Sequence, residues 1–350
     1  MLTLPKTNPL NPAVEKFLLT HDPNDATTKW TTGFGGAWIE SPLASLEKAG
    51  HEIPHELIEL FAANTRSDWV DRGILKPNFM EAGFDELAPN NDPKDGPDTG
   101  DNAWDHLHFG GISLLDDLHA RGYLWARDFA FRLLVSYYNN KNTPWMRDAG
   151  IANGYQLYGG NGRARCAGWI LHALLRGHRI AKRAGLPQFV LWIEQLLAFH
   201  VSKSVEAMPF AENGQGDSPL GPTVKHYRIF MLAILASALR RCYLLSGGSG
   251  PGKPIADALD KLTEIIKMAR RAPGVYVYDL ACDDSGIPYS HELEMVEKNV
   301  VNGVSGTGMW LVDALKWKPG SELAELVADA DAQSWPNKQP VLYASFVSSP

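Results

Sequence analysis

The chain has 350 residues, of which 45% are hydrophobic and 21% are charged, as is typical of a folded protein with a substantial core. Its formal net charge of −7 argues against a general affinity for nucleic acid or for anionic membranes. Eleven tryptophans are many for this length, and aromatic faces both fill cores and stack on sugar rings.

The N-terminal residues 1–50 are rich in Pro, Thr, Gly and Asn and show no clear period, which predicts an extended arm. Residues 1–16 lack a basic segment followed by an apolar one, so we expect no signal peptide. We therefore predict a cytoplasmic protein, or one exported by a route that the sequence does not reveal. A helix is predicted at 53–63, with Pro54 in its first turn. The acidic stretch at 76–101 lacks the ligand spacing of an EF-hand and is predicted to be a solvated loop.

Apolar periodicity beyond residue 100 predicts a mostly α fold built from antiparallel helical hairpins. Gly122, Gly185 and Gly247 stand where left-handed helix ends are expected. Only Val275–Cys282 alternates like a strand, so little β structure is expected. The predicted helices are 103–120, 123–139, 162–184, 187–207, 223–245, 254–271, 303–316 and 321–334.

These elements predict a helical domain over 51–335, followed by a C-terminal tail at 336–350. The N-terminal arm and the tail could both reach a neighbouring subunit, so a homo-oligomer joined through the termini is one expectation. The longest strongly apolar run, Ile229–Leu239, is too short to span a bilayer and fits a buried helix, so no membrane insertion is expected. The three cysteines form no close pair and are predicted to be reduced, buried thiols: Cys166, Cys242 and Cys282.

The helix predicted at 162–184 has two distinct faces. One face is basic and carries Arg165, His172, Arg176, Arg179 and Arg183. The opposite face carries Cys166, Ile170, Leu174 and Ala181. We interpret the basic stripe as a solvated face, the alternative being a surface that meets an acidic substrate.

Two stretches gather chemically versatile side chains: DNAWDHLHFGG at 101–111 and GNGRARCAGW at 160–169. With their neighbouring helices they resemble (α/α)-toroid carbohydrate-active proteins, namely polysaccharide lyases and unsaturated glucuronyl hydrolases. The resemblance covers about residues 100–190, and SGTGMWLVDAL at 305–315 resembles another inner helix. It implies a partial or complete (α/α) toroid and an enzyme that cleaves an acidic polysaccharide or oligosaccharide, by β-elimination or by hydrolysis.

In β-elimination, a positive group neutralises the uronate, a base removes the C5 proton and an acid protonates the leaving oxygen. Guanidinium suits the carboxylate because it offers a bidentate fork. The predicted substrate-binding residues are Arg163, Arg165, Trp104, Trp169 and His226. The predicted catalytic residues are His106, His108, Tyr227 and Asp105, with Tyr155 and Tyr158 as alternative acids. His226 and Tyr227 are expected to begin the buried helix.

Hydrolysis needs two carboxyl groups on opposite sides of the scissile bond. Asp105 could pair with Asp148, Asp283 or Glu292, and the sequence does not choose among them. A metal site is not predicted, because the His106 and His108 side chains would point apart on a helix. No cofactor is required by the sequence, although a divalent cation could bind if the backbone there were irregular.

Two further classes remain open from the sequence. One is a non-catalytic glycan-binding or assembly protein on the same scaffold, such as a virion or cell-surface component. The other is a helical enzyme of another kind, for example an isoprenoid-processing one. Against the latter, Asp116-Asp117 is followed by Leu118-His119-Ala120 and forms no DDxxD motif.

Overall fold

A computed structural model of the protein describes five long segments: residues 51–71, 111–139, 164–206, 225–247 and 252–272. Shorter described parts are 41, 43–44, 47, 212–213, 275–277, 279–283, 285, 287, 300–302 and 317. Most residues in these parts are helical, which confirms the prediction of a mostly α chain with little β structure. The predicted helices at 303–316 and 321–334, and most of the arm and the tail, lie outside the described residues.

The described helices agree closely with the periodicity of the sequence. They are α1 (His55–Asp71), α2 (Gly111–Ala120), α3 (Leu124–Asn139), α4 (Ala164–Arg183), α5 (Pro187–Glu206), α6 (Ile229–Leu245) and α7 (Gly252–Met268). Helix α1 continues eight residues beyond the predicted end, and only the second half of the predicted helix 103–120 is described. The carbonyl of Pro54 accepts the first bonds of α1, from the N–H groups of Leu57 and Ile58.

Short strands form two antiparallel sheets of three strands each, ordered β1-β2-β5 and β3-β4-β6. The strands are β1 (Glu212–Asn213), β2 (Lys225–Arg228), β3 (Arg270–Ala272), β4 (Val275–Val277), β5 (Asp279–Cys282) and β6 (Val300–Asn302). The prediction of β structure at Val275–Cys282 is confirmed, but the stretch contains two strands and not one. These strands, β4 and β5, pair in different sheets.

Two predicted helix boundaries are corrected by these strands. The helix predicted at 223–245 begins only at Ile229, because Lys225–Arg228 pairs with β5 as a strand. The helix predicted at 254–271 ends at Met268, because Arg270–Ala272 pairs with β4. In both places, hydrogen bonding to a strand distant in sequence competes with the helical pattern and prevails.

The chain divides into two compact units. One comprises residues 1–143, 176–190 and 335–350, and the other comprises 144–175 and 191–334. In the first unit, α2 packs against α3, and Phe131 stacks on Phe189 with ring centroids 4.5 Å apart. In the second unit, α6 packs against α7. Every residue from 231 to 240 of α6 is buried, which confirms that the apolar run lies in a buried helix.

The turns after α2 and α4 have the same backbone design. Gly122 (φ 99°) and Gly185 (φ 68°) adopt the left-handed conformation, as predicted. The next residue, Tyr123 or Leu186, donates its N–H to the carbonyl five positions earlier, at distances of 3.1 and 3.0 Å. This is the Schellman arrangement, which satisfies the last carbonyls of a helix. A new helix begins one residue later in both cases, at Leu124 and at Pro187.

Candidate functional site

The second sequence motif, at 160–169, overlaps the start of helix α4. Two residues of this motif, Gly168 and Trp169, contribute to the packing of the core. An ideal Cβ on Gly168 would lie 2.7 Å from Ile234 Cγ2 and 2.9 Å from the Leu235 nitrogen of α6. Only glycine allows this close approach of the two helices without a shift. The next residue, Trp169, is fully buried. Trp169 was predicted to bind substrate, and its indole lies in the core of this conformation.

The predicted residues His226 and Tyr227 lie on β2 and not at the start of a helix, which corrects that expectation. Both are 0% exposed, so both faces of β2 are covered. Burial raises the pKa of Tyr227 far above its usual value, and its side chain is hydrogen-bonded to that of Cys282. Arg228 Nε donates to His226 Nε2 at 3.4 Å. In this conformation neither His226 nor Tyr227 meets solvent, and their functional roles stay predictions.

For each of the other predicted site residues, either the whole residue or its side chain lies outside the described part of the chain. These are Trp104, Asp105, His106, His108 and Arg163, together with Tyr155, Tyr158, Asp148 and Glu292 among the alternatives. Arg165 occupies the second position of α4, and its side chain is also outside the described part. The proposed convergence of the two motifs on one cleft therefore stays a prediction.

Asp283, an alternative hydrolytic carboxylate, serves a turn. Its Oδ1 accepts hydrogen bonds from the N–H groups of Ser285 (2.9 Å) and Ile287 (2.8 Å) and from the Ser285 hydroxyl (2.6 Å). The backbone N–H of Asp283 donates in return to the Ile287 carbonyl. This oxygen is thus occupied by local structure.

The densest charged cluster among the described residues surrounds Asp116 on α2, in the first unit. The Asp116 side chain is only 2% exposed and contacts three guanidinium groups of α4. Arg183 Nη2 lies 2.9 Å from Oδ1, whereas Arg176 Nη1 and Arg179 Nε lie 3.4 and 3.3 Å from Oδ2. Arg183 Nη1 also donates to the Asp116 carbonyl at 3.0 Å. We call Asp116, Arg176, Arg179 and Arg183 the Asp116 cluster.

This cluster corrects the interpretation of the basic stripe on α4 as a solvated face. The Arg176 side chain is 9% exposed and Arg183 is one-third exposed, whereas Arg179 is 55% exposed. Opposite the stripe, the predicted apolar positions Ile170, Leu174 and Ala181 are fully buried, as expected.

His119 joins the Asp116 cluster through Arg183. Its Nδ1 lies 3.2 Å from Arg183 Nη1, and a guanidinium can only donate, so Nδ1 accepts and the proton of the neutral ring is on Nε2. Burial lowers the pKa of His119, and the charges of Arg183 and Arg127 lower it further. His119 is therefore neutral near pH 7.

Asp117, the neighbour of Asp116, belongs to a separate network. It contacts the Ser41 hydroxyl and, at 3.1 Å, Arg121 Nε, while the two Nη atoms of Arg121 reach Glu47 at 2.9 and 2.6 Å. Burial raises the pKa of Asp117, against the opposing effect of Arg121. Because Asp117 and Glu47 are engaged with Arg121, neither neutralises the arginines of the Asp116 cluster through an ion pair.

A cavity of about 530 Å³ lies in the second unit, between α5, α6 and α7. Its walls are mostly apolar and include Leu197, Val201, Leu245 and Ile255. Cys242 also lines it, and burial raises the pKa of this thiol to about 12, so it is not a nucleophilic thiolate at neutral pH. None of the described residues that line the cavity is aromatic, and their composition does not match a sugar-binding cleft.

No protein-family model, curated protein or solved structure matches this chain. Within the described ranges, no group of three or more His, Cys, Asp or Glu side chains is arranged to hold a metal ion. None of the helices in the described segments has both the length and the apolar character that crossing a bilayer requires.

Proposed function

We propose that the chain is a carbohydrate-active enzyme on an (α/α)-toroid scaffold and that it cleaves an acidic polysaccharide or oligosaccharide. The observation that supports this scaffold is the repeated hairpin turn at Gly122 and Gly185. In both turns the residue after the glycine donates its N–H to the carbonyl five positions earlier, and the next helix begins one residue later. A toroid is a succession of such hairpins with an inner and an outer layer of helices. Helix α6, in which residues 231–240 are all buried, and the two-faced α4 are the two kinds of helix that such layers would contain.

The chemistry rests on the two motifs at 101–111 and 160–169 and on their resemblance to lyases and glucuronyl hydrolases. Arg163 and Arg165 would neutralise the uronate, and His106 or His108 would remove the C5 proton. Because Tyr227 is buried, Tyr155 or Tyr158 becomes the preferred acid. Hydrolysis would instead use Asp105 with a second carboxylate.

One observation favours a second candidate, a non-catalytic glycan-binding or assembly protein. Three residues predicted for the site, Trp169, His226 and Tyr227, are fully buried and thus contribute to the core. A scaffold that has lost catalysis would keep such residues for packing alone.

Incubation with a panel of uronic-acid polymers separates these candidates. A lyase produces absorbance from the new C4–C5 double bond, whereas a hydrolase produces reducing ends without that absorbance. Arg163→Met, and whichever of His106→Ala and His108→Ala removes the base, should lower the rate about 100-fold or more. Lys253→Gln, at a side chain that is 85% exposed on α7, is the control and should leave the rate unchanged.

A further inference from the structure

The cavity between α5, α6 and α7 has a buried apolar floor and a rim that is open to solvent. The floor consists of the buried lining residues Leu197, Val201, Cys242 and Ile255. The rim includes Ala198 and Leu245, which are exposed, and Leu245 is 47% exposed. The volume of about 530 Å³ falls within the range of small-molecule pockets, about 300–1,000 Å³. Because close-packed interiors leave few voids larger than a water molecule, a cavity of this size is suited to hold a ligand.

The cavity exposes an apolar stripe of α5 that has the spacing of a packing face. Leu197, Val201 and Val205 recur every four residues and all line the cavity. A stripe with this period normally packs against another element of the core. Opposite the stripe, the cavity is lined by the end of α6 and the first turn of α7, two helices that pack against each other. A ligand in the cavity would therefore remove apolar surface of three helices from water.

The hydroxyl groups that line the cavity already have partners within the protein. The Ser202 hydroxyl donates to Glu206 Oε1 at 2.8 Å, and the Ser246 hydroxyl donates to the Tyr243 carbonyl at 2.8 Å. Lys203 Nζ donates to the second oxygen of Glu206 at 2.7 Å. These groups need no hydrogen bond from a ligand, so the contacts that the cavity offers are mainly those of its apolar residues. A ligand made mostly of hydrocarbon matches such a surface.

The charges at the cavity disfavour an acidic ligand. The described lining residues include the carboxylates of Glu194 and Glu206 and no basic side chain. Lys203 is close to Glu206 but pairs with it and does not line the cavity. A fatty acid would therefore bring its carboxylate beside two others without meeting a cation from these walls.

We propose that this cavity is a binding site for an uncharged small molecule that consists mainly of hydrocarbon. The molecule would lie on the floor residues and would cover Leu245 at the rim. The cavity is lined by residues of the second unit that are separate from the motifs at 101–111 and 160–169. The proposal therefore does not rest on the proposed carbohydrate activity.

Fluorescence titration of the full chain with Nile red, an uncharged dye that fluoresces in apolar surroundings, tests the site. We expect saturable binding of the dye and its displacement by decanol. Decanoate should displace it about tenfold more weakly, because its carboxylate would lie beside Glu194 and Glu206. Decyltrimethylammonium should be no better than decanol, since Lys203 already pairs with Glu206.

Two outcomes of this titration overturn the proposal. If the dye does not bind saturably, the cavity is not a binding site. If decanoate displaces the dye as well as decanol does, or if decyltrimethylammonium displaces it better, the ligand is not of the uncharged class.

Substitutions that fill the cavity locate the bound dye. Ala198→Phe adds a ring at the exposed rim and should weaken dye binding about tenfold. Val201→Phe adds a ring at the floor and should do the same in protein that keeps the wild-type helical content by circular dichroism. Gln195→Phe is the matched control, because it adds the same ring at an exposed position of α5 that does not line the cavity. Its affinity should change less than about twofold. Equal binding of the dye by Ala198→Phe and Gln195→Phe would place the dye elsewhere and overturn the proposal.

Discussion

Asp116 Oδ1 lies 2.9 Å from Arg183 Nη2, and this contact joins two helices whose residues are 67 positions apart in the chain. The same carboxylate, almost fully buried, also contacts Arg176 and Arg179. A buried carboxylate is tolerated only when it is paired, so these contacts explain how a charge can lie in the apolar run of α2.

Removing the charge of Asp116 should be strongly destabilising. Asp116→Asn removes the carboxylate charge that the poorly exposed Arg176 contacts, and breaking a buried pair in this way costs roughly 3–5 kcal/mol. Arg179→Gln, at an exposed position, should cost less than about 1 kcal/mol. Urea denaturation of both variants measures the difference. A loss below about 1 kcal/mol in Asp116→Asn would contradict the importance given to the cluster.

His119 should make stability depend on pH. Its pKa is lowered in the folded state, so the unfolded state binds the proton more readily. Neutral His119 therefore contributes its full share of stability when the pH is above its pKa in the unfolded chain, about 6.5. This contribution is lost as the pH falls towards and through the lower pKa of the folded state. Asn at this position keeps an acceptor without titrating in this range.

The measurement is the free energy of unfolding between pH 7.5 and pH 5 for the wild type and for His119→Asn. The wild type should lose more stability than the variant as the pH falls. The raised pKa of Asp117 has the opposite effect on stability, because it lowers the stability as the pH rises above the usual Asp pKa of 3.8. Asp117 is present in both proteins, so its effect cancels in the comparison. Parallel curves would show that His119 is not the titrating group.

Gly168 should not tolerate a side chain. Gly168→Ala places a Cβ within 3 Å of Ile234 and Leu235, and overpacking of this kind costs roughly 1–3 kcal/mol. Gly252→Ala is the control, because its Cβ meets only the Tyr243 ring, at 3.4 Å or more. Thermal unfolding compares the two. If Gly168→Ala is as stable as the control, α4 and α6 do not approach as closely as described.

Tyr227 should contribute to stability and not to catalysis. Tyr227→Phe removes a buried hydroxyl that is hydrogen-bonded to Cys282, at a cost of about 1 kcal/mol. The rate on an acidic polymer should stay within about twofold of the wild type. A general acid would instead lose about 100-fold or more, which would restore Tyr227 to the catalytic residues.

The features that the sequence predicts well are those decided by local interactions. Gly122 and Gly185 could be predicted as helix ends because a left-handed residue is needed within the same turn. The burial of α6 could be predicted because its apolar residues surround the helix.

Long-range pairing accounts for what the sequence did not predict. Lys225–Arg228 becomes a strand because it pairs with Asp279–Cys282, about fifty residues later. The arginine stripe of α4 was recognised, but its partner Asp116 lies on another helix. The sequence did contain a signal, since Asp116 directly follows the mostly apolar residues 112–115, and a carboxylate that is buried with such neighbours needs a partner.

The release of new reducing ends from acidic polysaccharides tests the proposed function most directly, since both β-elimination and hydrolysis create them. We predict release from at least one uronic-acid polymer, with the rate lowered about 100-fold by Arg163→Met and unchanged by Lys253→Gln. If a protein with the expected helical content releases no reducing ends from any polymer in a broad panel, the result would contradict the proposed enzymatic activity. It would then favour the non-catalytic glycan-binding or assembly protein.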